Sequence, residues 1–330
     1  MKKLFIAFLS VLLVVCVVNV KNSIEATEKY PTKPIVLIVP LEAGGGLDIV
    51  IRPFCEKLGA LLGQSVVVVN KPGAGSSIGY RAMHDAKPDG YTLGAAMLTL
   101  PANKLQGLLP YDHSDYTHLG ATSIPTPLLV ASTRSKRTFK TFKEVIEFAK
   151  SRPGDISMAA GGKGGGWWNA AKEFEAITGA RFNIVLSVGT GASHLAQVSG
   201  GHVEVGIVDM AGGKPQVEAG NLIPLATLVP GNRRLSILPN VPCVTEFGYN
   251  MRYASLGFIV GPPNMPKEIT DILVKAVGIV SKDPEYAKFV EERTGSLSIS
   301  WSPEETIAHL DKQRDILRDI FDKAGLLKEK

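Results

Sequence analysis

The sequence predicts an α/β protein, with mostly parallel sheets covered on both faces by helices. Three observations carry that reading. Short, continuously apolar runs rich in valine and isoleucine alternate with segments of helical periodicity, the pattern of strands buried on both faces. The alternation is played twice, over residues 35–95 and again over about 128–227. Glycine, proline and asparagine mark the joins. At 330 residues the chain is too long for one small domain, and a length prior of about 150 residues per domain suggests two.

Ile35–Val39 is a purely apolar run that ends at Pro40, and Gly44-Gly45-Gly46 follows. Helical spacing then starts near Asp48 and continues through Ile51, Phe54, Cys55, Leu58 and Leu62. Residues 65–69 form a valine strand closed by Asn70-Lys71-Pro72-Gly73; a helix over 76–85, a Pro88-Asp89-Gly90 turn and a strand over 91–95 complete the first round. The second round places strands at 128–131, 156–159, 182–186 and 203–208, with helices at 142–150, 168–178 and 192–198. The tail is an amphipathic helix in which Ile307, Leu310, Leu317, Ile320, Phe321 and Ala324 share one face. The charged residues opposite, among them Asp311, Arg314 and Asp315, read as its solvated side.

The N-terminus points to export. Lys2 and Lys3 precede an apolar run over 4–20, and a polar stretch ending at Ala26 follows, the order of a secretory signal peptide. Cleavage near Ala26 makes residues 1–26 the signal peptide and places the mature chain in the periplasm. An uncleaved anchor is the competing reading, because the apolar run sits at the lower limit of about 17 residues for a spanning helix. Cys16 raises lipid attachment, but Val15 is not the small residue that a lipid-attachment site wants. The formal charge of +5 becomes +3 once Lys2, Lys3, Lys21 and Glu25 are removed. No basic stripe accompanies it, so a nucleic-acid partner is not expected. The mature chain keeps Cys55 and Cys243, either paired in an oxidising compartment or both buried and free. No CxxC, HExxH or clustered His/Cys spacing indicates a metal site, and no cofactor is expected.

The informative feature is a recurring strand, glycine-rich turn and helix start, at residues 40–48, 160–169 and 187–193. Glycine leaves the backbone N–H groups uncovered where a helix begins; these lack intrahelical partners and carry the positive end of the helix dipole. Such a turn is a ready anion site, and in open α/β sheets ligands gather beyond the strand ends where these turns lie. Each turn alone also serves tight packing. Three of them, spread over both rounds, point to a shared ligand cleft. Asp48 reads first as a helix-start cap. Lys163, within AGGKGGG, is either an ordinary solvated lysine or a cation that meets an anion. Trp167 and Trp168 are adjacent at a helix start and rarely both bury; Trp168 is taken as the candidate cleft wall. KPGAGSSIG at 71–79 has the spacing GxGxxxG, not GxGxxG, and carries only a weak nucleotide reading. No GxSxG or Walker sequence is present and the six histidines are scattered. His194 sits in the third turn-helix unit, and one histidine is not a mechanism.

Taken together, YPTKPIVLIVPLEAGGGLDIVIRP, LGQSVVVVNKPGAGSSIGY, KPDGYTL, LPYD, GGHVEVG and LPNVPCVTEFGY resemble the substrate-binding proteins of tripartite tricarboxylate transporters, the Bug family of periplasmic receptors. The resemblance runs from Tyr30 to the terminal helix. It implies a two-lobed Venus flytrap with no catalytic role. The chain would cross between lobes near 123–127 and again near 251–255. Lobe one would take 27–125 and 252–330, and lobe two 126–251. The ligand, often a carboxylate, would be clasped by turns of both lobes and presented to a membrane permease; a monomer is the default. Carried over to these positions, the first contact loop is Ala43, Gly44, Gly45, Gly46 and Asp48, with Thr99 as a hydroxyl after the third strand. The second loop is Ala160, Gly161, Gly162, Lys163, Gly164 and Gly165, and the third is Gly189, Thr190, Gly191 and Ala192.

Departures from the family pattern bear on the ligand. Leu41 and Glu42 replace the usual aromatic residue and proline, and Ser187-Val188 the usual Tyr-Lys. The second loop is glycine-rich with Lys163, where serine and asparagine are common. Fewer hydroxyls and an added cation favour a carboxylate with an apolar or aromatic body over a polyhydroxy acid. The alternatives are a sensor that hands its closed state to a signalling partner, and a periplasmic enzyme using the same cleft.

Overall fold

The computed structural model describes residues 30–187, 191–231 and 234–328. The signal segment, Gly189 and Thr190 lie outside them. Two helix-flanked sheets make up the fold. The first has the order β11-β4-β10-β3-β1-β2. Its strands are β1 (Ile35–Val39), β2 (Val66–Asn70), β3 (Thr92–Ala96), β4 (Thr117–Ile124), β10 (Gly257–Gly261) and β11 (Leu297–Trp301). The second has the order β7-β6-β8-β5-β9, with β5 (Pro127–Ser132), β6 (Ser157–Ala159), β7 (Asn183–Val185), β8 (Val205–Asp209) and β9 (Leu222–Thr227). The chain passes from one sheet to the other between Ile124 and Pro127 and rejoins the first sheet at Gly257.

The expectation of mostly parallel sheets needs correction. Among the described strands, β1–β2, β1–β3, β6–β7 and β6–β8 pair in parallel, whereas β10–β3, β10–β4, β11–β4, β5–β8 and β5–β9 are antiparallel. Of the reversed strands, β5 and β10 arrive directly from the other sheet, and β11 follows β10 within the first. β5 enters the second sheet against β8 and β9, while β10 and β11 return to the first against β3 and β4. A continuous apolar run reports burial on both faces and not direction; β5 is buried along its whole length and runs antiparallel to both neighbours.

The helices follow from periodicity and caps. In α1 (Gly46–Leu62), Leu47, Val50, Ile51, Phe54 and Leu58 recur at three- and four-residue spacing and are buried, each worth about 1.5–3 kcal/mol. The helix stops at Gly63, which takes the left-handed conformation at φ 71°. The first sheet also carries α2 (Ser77–His84) and α3 (Thr99–Leu105). The second carries α4 (Phe142–Ser151), capped by the Thr141 hydroxyl, then α5 (Gly166–Thr178), α6 (Gly191–Ser199) and α7 (Met210–Glu218). After the return come α8 (Lys267–Ser281), α9 (Pro284–Phe289) and α10 (Pro303–Lys323). Helix α10 opens with a capping box between Ser302 and Glu305 and has Pro303 in its first turn. Its charged face is not merely solvated, because Arg314 donates to the Asp112 carboxylate at 2.9 Å.

One apolar cluster runs through both halves, joining Tyr80, Leu100 and Phe258 to Phe142, Phe174 and Ile207. The returning segment is clamped from both sides. Gln313 of α10 accepts from Ala254 N–H and donates to Arg252 C=O, each at 3.0 Å. Arg252 in turn donates to the fully buried Glu173 of α5 at 2.8 and 3.0 Å. Cys55 and Cys243 are both free and buried, and burial pushes the Cys55 thiol up to about 12. No helix among the described residues is long and apolar enough to cross a membrane.

Candidate ligand site

Between the two sheets lies a cavity of about 280 Å³, just below the roughly 300–1,000 Å³ usual for ligand pockets. Two of the glycine turns open onto it from opposite sides. Gly45 precedes α1 and Gly165 precedes α5, each with extended backbone and no side-chain cap. The first return bonds are Ile49 N–H to Gly45 C=O and Asn169 N–H to Gly165 C=O. Hence the N–H groups of residues 46–48 and 166–168 have no intrahelical partner.

The first loop is braced by Asp48. Its carboxylate accepts from Arg52 Nε and Nη2, from Asn70 Nδ2 and from Gly44 N–H, all at 2.9 Å. Burial alone would raise this carboxyl, but those hydrogen bonds outweigh it and hold it below its ordinary value. Asp48 is therefore engaged inside the loop, and neither it nor Ala43 or Gly44 lines the cavity, whereas Gly45 and Gly46 do. Glu42 is exposed and lies off the wall. Thr99 lines the cavity with its hydroxyl 2.7 Å from that of Tyr80.

In the second loop every residue from Ala160 to Gly165 lines the cavity. Gly161 and Gly164 adopt φ of +78°, which side chains tolerate poorly. The Lys163 ammonium is exposed and makes no hydrogen bond or ion pair with a described residue. The tryptophan choice is corrected by the helix phase. Trp168 is 3% exposed and joins the apolar core, while Trp167, about 100° round the helix, lines the cavity. In the third loop, Gly191 opens α6 and Ala192 follows within its first turn.

Several groups that no local motif announces complete the site. The crossing segments bring Ser123, Thr126, Tyr253 and Ser255, and the end of the second sheet brings Asp209. The Thr126 and Tyr253 hydroxyls are buried without a hydrogen bond, as are both ring nitrogens of His194. Tyr253 and His194 are each 1% exposed, and the Tyr253 hydroxyl lies 3.7 Å from where a Cβ on Gly166 would stand. Burial holds the His194 imidazole below its ordinary value, opposed by nearby Asp209. Lys163 and Asp209 are the charged residues on the described wall. Buried polar groups without partners carry a desolvation cost that a ligand can relieve. No group of three or more His, Cys, Asp or Glu among the described residues is arranged to hold a metal ion.

Two sheets crossed by the chain, with glycine turns of both facing one polar-tipped cavity, define a two-lobed solute-binding protein. Comparison with known proteins narrows this. Residues 50–303 match the profile of the tripartite tricarboxylate transporter family receptor, TctC, and the chain belongs to that family. Protein BugT of Bordetella pertussis is 32% identical over 240 residues, covering 72% of this chain and 73% of its own. A UPF0065 protein of Bordetella bronchiseptica is 27% identical over 304 residues, covering 91% of this chain and 88% of its own. Among solved structures, the periplasmic binding protein BugD superposes with a TM-score of 0.78 at 25% identity, covering 91% of this chain and all of its own.

Proposed function

We propose that this chain is an exported receptor that clasps a small carboxylate with an apolar or aromatic body between its lobes and presents it to a membrane permease. The lobes are proposed as residues 27–125 with 252–330, and residues 126–251. The observation that carries the reading is the second loop, where the uncapped start of α5, the Lys163 ammonium, which pairs with no described residue, and the buried Tyr253 hydroxyl open on one cavity. An anion there meets a helix N-terminus, a cation and a hydroxyl donor together. Leu47, Val50, Met97, Leu108 and Trp167 supply the apolar wall for the ligand's body. Two proteins of the same fold hold adipate (24% identity) and malate (21% identity), likenesses that speak for the fold alone. The lining residues of this chain make the case for its ligand.

Closure is a population shift: the ligand favours the closed form because only there do groups from both lobes reach it. A thermal-shift screen of the mature chain against aliphatic and aromatic carboxylates, followed by calorimetry, tests the reading. Lys163→Ala is expected to weaken a bound carboxylate by roughly 1–3 kcal/mol, about fivefold to 150-fold. Tight binding of citrate with none for apolar acids, or an affinity indifferent to Lys163, would overturn it.

A further inference from the structure

The two glycine turns that open on the cavity do not face the same electrostatic surroundings. Opposite the start of α1 stands a carboxylate: Asp209 Oδ1 lies 3.9 Å from where a Cβ on Gly46 would be. Asp209 caps α7 by accepting from Gly212 N–H at 2.8 Å and pairs with no cation among the described residues. It therefore places a negative charge close to the α1 N-terminus, where a ligand anion would otherwise be favoured. Beside it is His194, whose Nδ1 is 3.7 Å from a Cβ placed on Gly161 and whose two nitrogens have no hydrogen bond.

We infer that the Asp209–His194 wall receives a hydrogen-bond-donating group, so that the ligand is bipolar: one carboxylate at Lys163 and an ammonium or similar donor at Asp209 and His194. This rests on the carboxylate reading above and goes further by excluding a second carboxylate. A dianion would place like charge against Asp209 in a small cavity, where repulsion is less screened than in bulk water. An ammonium there gains a charge-assisted hydrogen bond to Asp209. The neutral imidazole of His194, with one ring nitrogen free to accept, takes a second N–H of the same group. The two charged residues of the described wall, Lys163 and Asp209, are then matched by a ligand of no net charge.

Calorimetry on the mature chain tests this with two probe sets of fixed skeleton: benzoate, 4-(aminomethyl)benzoate and terephthalate, and then pentanoate, 5-aminopentanoate and adipate. In at least one set the ammonium probe is expected to bind tenfold or more tighter than the plain acid, and the dicarboxylate tenfold or more weaker. Asp209→Asn, which keeps a competent helix cap, is expected to erase both differences. His194→Gln and His194→Phe are expected to lower affinity for the ammonium probe at least fivefold more than for the plain acid; a melting temperature near wild type verifies folding of each variant. A dicarboxylate that binds as well as the plain acid, or a ranking unchanged in Asp209→Asn, overturns the inference. If Lys163→Ala still weakens the plain acid in that case, the carboxylate reading stands by itself. Absence of binding by all six probes overturns both.

Discussion

Gly164 is where closure of the cleft is most directly open to test. Its φ of +78° lies in the left-handed region, and a Cβ there would run into the carboxamide of Gln106, which comes from the other half of the molecule. Gly164→Ala therefore carries two separable costs. The left-handed backbone costs roughly 1–2 kcal/mol in every folded state, which lowers the ligand-free melting temperature by about 2–4 °C per kcal/mol at most for a chain of this size. The clash with Gln106 exists only when the two walls meet. Overpacking costs about 1–3 kcal/mol, and the lower end applies because Gln106, tethered by one hydrogen bond of 3.2 Å to Ala102 C=O, can swing away. Ligand affinity should then fall about fivefold beyond any effect on stability. The assay is a double-mutant cycle of Gly164→Ala and Gln106→Ala, with melting temperature and calorimetric affinity read on all four proteins. The double variant should keep the melting loss and recover the affinity. An affinity untouched by Gly164→Ala, or unrestored in the double variant, would mean that ligand binds without bringing Gln106 onto Gly164.

Two further predictions concern stability. Arg252→Ala strands the buried Glu173 carboxylate, leaving it one backbone hydrogen bond of 3.3 Å from the N–H of residue 252. The expected loss is about 2–3 kcal/mol in urea unfolding, discounted because Arg252 is half exposed; adding Glu173→Gln should recover at least half, and a loss under about 0.5 kcal/mol would refute the pairing. His118 is pushed down to about 4, chiefly by burial. It is neutral when folded while the unfolded chain takes up its proton near pH 6.5, so its contribution is intact above that pH and is lost between about 6.5 and 4, to a total of order 3 kcal/mol. His113 and His194, lowered by burial as well, act in the same sense. Unfolding midpoints from pH 7.5 to 4.5 should decline, more gently in His118→Phe; identical profiles would refute the assignment.

The sequence exposed the two rounds of strand and helix because their signals are local. β1 is a pure apolar run, and α1 and α4 have full helical spacing. The strands of the second crossing and the tail gave weaker signals. β10 is five residues bounded by glycines with irregular register against β4, and β11 alternates serine with apolar residues and is half-buried throughout. Strand direction was illegible, since apolar content reports burial alone. The glycine turns were legible for the same reason as the strands: their chemistry is contiguous. Tyr253, Ser255 and Thr126 reach the cavity only because the chain crosses between sheets there, and no spacing rule joins residues so far apart. His194 stood in a recognised turn-helix unit, but its missing partners are a property of packing. Trp167 and Trp168 differ by one residue and opposite fates, a matter of helix phase that composition does not set.

The pairing order of the first sheet fixes a sequence of assembly. β4 is complete by residue 124, yet its neighbours are β10 and β11, which lie more than 130 residues downstream. The second sheet needs nothing beyond residue 227, and its ends already meet where Leu228 N–H donates to Pro127 C=O at 2.9 Å. Long loops must close before β4 gains a partner, so the inserted half should become protected first and the enclosing half last. Pulsed hydrogen exchange during refolding would show amides of β8 guarded before those of β4, with the ligand cleft the final feature to form.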